Sequence, residues 1–175
     1  KALLHAARVI EETREMRPHG IDFGEPKIDL AQLGGWKDKV VGQLTNGLSG
    51  LAKKRKVQVI TGTGRFESPH ELSVLNNHNK ERVRFQQAII AAGSQAVTLP
   101  GLPEDPRIFD STGALLLNTI PPRMLVIGGG IIGLEMATVY LAMGSKVSIV
   151  EMAPQLMPGA DADLVKPLAK RLGAQ

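Results

Sequence analysis

The sequence predicts an α/β fold in two successive units, and three observations predict it. Residues 124–151 read as strand, glycine turn, helix and second strand. Before residue 55 the apolar positions advance with a helical period. From Val57 onward that period gives way to short apolar runs bounded by turn residues, with a small antiparallel excursion among them.

The most specific stretch is MLVIGGGIIGLEMATVYLAMGSKVSIVE, Met124 to Glu151. Met124-Leu125-Val126-Ile127 suits a buried strand in length and branching. Gly128, Gly130 and Gly133 form a G-x-G-x-x-G, with an additional glycine at Gly129. A helix is expected from about Ile131 to Met143, ended by Gly144, and a strand from Lys146 to Val150. A lone G-x-G-x-x-G is weak evidence, but here strand, helix, second strand and terminal acid are all in place. Gly128 permits the tight turn, Gly130 admits a pyrophosphate to the backbone, and Gly133 lets helix and strand approach. The helix N-terminus then faces the phosphates. Glu151, 21 residues after Gly130, is placed to accept hydrogen bonds from the adenosine ribose, which favours NAD over NADP. The competing reading is a tight packing turn that binds nothing.

Taken in order, Lys1 to about Met16 reads as a helix closed by Arg17-Pro18-His19-Gly20. A long helical pattern starts near Asp29, a suitable N-cap, with Leu33, Trp36, Val40, Leu44, Leu48 and Leu51 on one face. Gly34, Gly35, Gly42, Gly47 and Gly50 weaken it, so either close packing compensates or the helix is interrupted. Val57 to Ile60 reads as a strand. Thr61 to Phe66 holds a second glycine pair, but Glu67 stands where a third glycine belongs, so a bulged turn between strands is the expectation. Glu71–Leu75 and Arg82–Phe85 are short strands around Asn76-Asn77-His78-Asn79. Gln87 to Ser94 reads as an apolar strand entering a small-residue turn. A loop through Pro106 follows, and the domain boundary is expected between Asp110 and Pro122.

Composition excludes several functions. Hydrophobic residues make up 43% and charged residues 22% of the 175, enough apolar content for a core. The net charge of +4 comes most visibly from Lys53-Lys54-Arg55-Lys56 at a helix end, where it complements the helix dipole. With one Trp and one Tyr there is no stacking platform for nucleic acid. No run is long enough to span a membrane as a helix. There is no cysteine, hence no thiolate nucleophile in this chain. His5, His19, His70 and His78 lack metal-ligand spacing and read as surface or packing residues. The chain opens on Lys1 inside a helical pattern and stops at Gln175 soon after a further segment starts, so an internal piece of a longer protein is expected.

The runs AIIAAGSQAVTLPGLP, DSTGALLL and PPRMLVIGGGIIGLEMATVY, in that order, resemble the pyridine nucleotide–disulfide oxidoreductases, and most closely the branch that oxidises dihydrolipoamide. The opening KALLHAA is similar to the residues that follow the redox-cysteine block of that family. The resemblance implies two dinucleotide-binding, Rossmann-like, three-layer domains, both incomplete here: the C-terminal part of an FAD domain over residues 1–117 and the N-terminal part of an NAD domain over 118–175. It implies FAD and NAD as cofactors. Lys1 corresponds to a lysine beside the flavin, and Gly64 to a glycine whose N–H contacts FAD. Ala92 and Gly93 correspond to a strand end near the FAD, with Ala92 standing where the family has threonine. The segment Gly128, Gly129, Gly130, Ile131, Ile132 and Gly133, with Glu151, corresponds to the NAD site. Glu135 corresponds to a glutamate that reaches the nicotinamide and the flavin-side lysine, so a Lys1–Glu135 pair is expected; otherwise Glu135 is a first-turn acid answering the helix dipole.

No catalytic residue is assigned to this chain, because the redox cysteines and the His-Glu base of the family lie outside the matched stretch. The implied partners are the lipoyl domain of a 2-oxo acid dehydrogenase complex and a second copy in a homodimer. Bacterial cytoplasm and mitochondrial matrix both fit. Alternatives are a glutathione-, mercuric- or peroxide-reductase-like relative, or a non-catalytic NAD-binding fragment.

Overall fold

The computed structural model describes residues 1–77 and 79–174; His78, expected in a hairpin turn, and Gln175 lie outside the described residues. The elements are α1 (Ala2–Glu15), a 3₁₀ turn at Arg17–His19, α2 (Leu30–Lys54), β1 (Thr63–Ser68), β2 (Glu71–Asn76), β3 (Asn79–Arg84), α3 (Ser111–Leu116), β4 (Arg123–Ile127), α4 (Ile131–Ala142), β5 (Lys146–Val150) and α5 (Ala162–Gly173). The chain divides into two compact units, residues 1–40 with 96–175, and residues 41–95.

In the first unit, β4 and β5 pair in parallel with Met124 opposite Val147 and Val126 opposite Ile149. The connection between them is α4, as a parallel pair requires. Helix α4 is apolar nearly all round and correspondingly buried, with Met136, Val139 and Tyr140 inside. Helix α1 packs on it through Leu3 and Ala7, and α3 adds Ala114. The small side chain of Ala7 lets two helices approach closely. The Tyr140 hydroxyl donates to the Ala114 carbonyl at 3.0 Å, and the ring stacks on Phe109. Arg14 donates to the Ala142 carbonyl at 3.1 Å, capping the C-terminal end of α4 with a cation.

Helix α2 runs unbroken for 25 residues despite its glycines. Asp29 caps it, accepting the Gln32 N–H at 3.0 Å. None of the five glycines has a neighbour where a Cβ would stand, and Leu44, Leu48 and Leu51 are exposed. Close packing therefore does not compensate for them within this chain.

In the second unit, β1, β2 and β3 form an antiparallel meander. The stretch expected as a bulged turn, Thr61 to Phe66, instead enters strand β1 at Thr63; the register slip falls one step later, between Phe66 and Ser68. Gly62 is dictated by crowding: at φ +157° a Cβ there would sit 2.6 Å from the Leu75 carbonyl oxygen. Val74 and Ser73 are buried, and Phe66 meets Phe85 edge to face.

Three sequence expectations are corrected. Val57–Ile60 and Gln87–Ser94 are not strands: a strand exists by pairing, and among the described residues neither segment has a pairing partner. Their side chains are accordingly open, with Val59 at 72% and Ile89 at 95% exposure. Strand β4 is buried on one face only, since Leu125 and Ile127 lie on the face that α4 does not cover. Two helices were not expected: α3, too short to show a period, whose Asp110 side chain caps it by accepting the Gly113 N–H, and α5, whose Val165, Leu168 and Leu172 fall on one face after Asp161.

Candidate dinucleotide site

The glycine loop follows β4 directly. Gly128 turns the chain at φ +109°, and its N–H donates to the Val150 carbonyl at 2.8 Å, tying the loop to β5. Gly130 is the N-cap of α4 and no side chain caps that end, so the first-turn N–H groups are available to an anion. A Cβ on Gly130 would meet nothing, which leaves the approach to the backbone open. A Cβ on Gly133 would collide with the Gly128 carbonyl oxygen and press on Val126, so the third glycine is a packing requirement.

Glu151 follows β5 directly and turns back to the loop. Its Oε2 accepts the Gly129 N–H at 2.7 Å and its Oε1 the Ala153 N–H at 2.7 Å. These backbone donors, Ala153 first and then Gly129, hold the carboxyl below its ordinary range. The acid is therefore charged and fixed where β5 meets the glycine loop.

Glu135 lies beyond the first turn of α4, and its Oε1 accepts from Lys1 Nζ at the start of α1. Lys1 occupies an N-cap position, where a cation opposes the helix dipole, and the Glu135 carboxylate offsets that. The pair is solvent-accessible, with the lysine side chain 85% exposed, so its weight in stability is small. Beside it an open cavity of about 220 Å³ is lined by Leu4, Ile131, Leu134, Glu135, Met157 and Leu168.

The structure thus gathers Lys1, Gly128, Gly129, Gly130, Ile131, Ile132, Gly133, Glu135 and Glu151 in the first unit. Gly64, Ala92 and Gly93 belong to the second: Gly64 in β1 opposite Val74, Ala92 and Gly93 in the unpaired segment, with Gly93 at φ +74°. Sequence reasoning missed Leu156 and Met157, which cover the glycine loop from the segment after Glu151. The one signal that pointed to them was the additional glycine at position 129.

Residues 1–175 match the family described as pyridine nucleotide-disulphide oxidoreductase, and the chain belongs to that family. The dihydrolipoyl dehydrogenase of Vibrio cholerae is 54% identical over 173 residues, covering 98% of this chain and 36% of that protein. The mitochondrial dihydrolipoyl dehydrogenase of Pisum sativum is 42% identical, covering 100% of this chain and 36% of the relative. Among solved structures, the Cu(II) complex of the HOCl-induced flavoprotein disulfide reductase RclA from Escherichia coli superposes with a TM-score of 0.78 at 29% identity, over 99% of this chain and 36% of that one. The chain spans a little over a third of the length of these relatives.

Proposed function

We propose that this chain is part of an NAD-dependent dihydrolipoyl dehydrogenase, which oxidises a protein-bound dihydrolipoyl group to its disulfide and reduces NAD. The observation that carries the reading is the glycine loop closed against a charged Glu151, and relatives at 54% and 42% identity bear that name. Bound FAD would supply the two-electron relay between dithiol and nicotinamide.

Each residue has a role in this reading. The loop backbone and the uncapped start of α4 receive the pyrophosphate of NAD. Glu151 accepts the ribose hydroxyls and repels a 2′-phosphate. Lys1 sits beside the flavin, where a cation favours negative charge on the ring, and Glu135 holds that ammonium while reaching toward the nicotinamide. Gly64 offers its backbone N–H to FAD, and Ala92 and Gly93 are small enough for close approach. The FAD-binding part is assigned to 1–117 and the NAD-binding part to 118–175 on the order of their motifs; the compact units are cut differently, residues 1–40 packing with 96–175. A lipoyl domain is the macromolecular substrate and a second copy the dimer partner, in bacterial cytoplasm or mitochondrial matrix. Among the described residues no helix is long and apolar enough to cross a membrane.

The test is spectroscopic and kinetic. The full-length protein carrying this chain is expected to be yellow and to reduce NAD with dihydrolipoamide. Glu135→Gln should slow that reduction about tenfold or more, as loss of a positioned charge does, while flavin content is retained. A colourless protein inert to dihydrolipoamide would refute the reading. A yellow protein that reduces another disulfide instead would move it to a sister reductase.

A further inference from the structure

Gly129 is the glycine that G-x-G-x-x-G does not ask for, and its surroundings explain it. Its N–H donates to Glu151 Oε2 at 2.7 Å and its carbonyl accepts the Met157 N–H at 2.8 Å. A Cβ on it would lie 2.5 Å from Leu156 Cδ2 and 3.2 Å from Glu151 Cβ. Gly129 is buried, held at both polar groups and covered at its bare α-carbon.

One segment without helix or strand does all of this, residues 151–160. It braces itself: Ala153 N–H closes onto Glu151 Oε1, Ala160 N–H onto the Met157 carbonyl at 3.0 Å, and Gln155 Nε2 onto the Ala160 carbonyl at 2.8 Å. Met157 stands at φ +51°, a left-handed conformation uncommon for its side chain, which persists only where the surroundings over-determine it. Met157 also lines the cavity shared with Glu135.

We propose that residues 151–157 form a strap that sets the shape of the glycine loop, with Leu156 and Met157 as positioning residues for the dinucleotide pyrophosphate. The assignment rests on the NAD reading of this loop. Three consecutive glycines have more backbone freedom than any other tripeptide, and ordering them on binding subtracts from affinity. Bonding the middle glycine at both ends removes that freedom beforehand. Glu151 consequently has two duties, and a substitution that retunes cofactor choice there also releases the loop.

The test is reciprocal rescue in the full-length protein, following the NAD dissociation constant and kcat at saturating NAD. Gly129→Ala forces the Leu156 methyl from its seat and should weaken NAD about tenfold, the scale of overpacking a buried site, with the loss larger in the dissociation constant than in kcat. Leu156→Ala in the same chain makes room and should recover most of that loss. A double variant as weak as Gly129→Ala alone overturns the strap. A second pair covers a Gly129 variant that fails to fold: Met157→Asn and Met157→Val both keep the N–H, but asparagine tolerates the positive φ and β-branched valine does not, so Met157→Val should weaken NAD several-fold more. Equal affinity in these two overturns the strap as well. Wild-type protein without NAD affinity would instead overturn the reading of the loop itself.

Discussion

Glu151 accepts N–H groups from Ala153 and Gly129, and each favours its charged form. Its pKa is lowered from an ordinary value of 4.5, so the group binds fewer protons folded than unfolded. The contribution to stability and to loop closure is therefore present above pH 4.5 and is lost as pH falls through the depressed folded value. NAD affinity of the full-length protein, measured by fluorescence titration, should show no Glu151-dependent decline between neutral pH and 4.5. A Glu151→Gln variant should lose affinity at neutral pH, because its amide has one acceptor oxygen where the carboxylate uses two, so its NH2 faces either the Gly129 or the Ala153 N–H and the charge is gone. A decline centred near pH 6 and abolished by that variant would contradict the assignment.

At the level of elements, α4 is the piece against which α1 and α3 are packed. Its dependence on neighbours is clearest at Tyr140, which is 2% exposed and spends its hydroxyl on the Ala114 carbonyl of α3. Tyr140→Phe keeps the ring stacked on Phe109 and leaves that buried carbonyl unpaired, at a cost of about 1–3 kcal/mol. Urea unfolding of the full-length protein should register the loss, with flavin colour retained. An unchanged midpoint would mean that water reaches Ala114 in place of the hydroxyl. The same contact explains why α3 was not foreseen: six residues with two adjacent leucines carry no readable period, and the helix is held by its Asp110 cap and its neighbour.

Across the whole molecule, large apolar side chains stand open in the segments that have no strand partner, including Val59, Ile89 and Ile90. Such surface marks a place of contact, with protein or with a bound ligand. The 175-residue chain by itself is expected to bind a hydrophobic-surface dye and to unfold without a sharp transition. Ile89→Thr with Ile90→Thr should reduce dye binding measurably, since Ile89 is 95% and Ile90 76% exposed. A cooperative transition with negligible dye binding would contradict this.

What the sequence by itself determined was local: the strand, turn, helix and strand of residues 123–150, the Asp29 cap, and the acid at the tip of β5. Periodicity, glycine spacing and caps act between residues close in the chain, so their effects are legible there. Tertiary structure decided the rest. Whether Val57–Ile60 pairs depends on a neighbouring strand, whether Lys1 meets Glu135 depends on α1 lying against α4, and why Gly129 must be glycine depends on a leucine 27 residues further on. Each is settled by which surfaces come together, and burial and hydrogen bonding across such distances leave no period in the sequence.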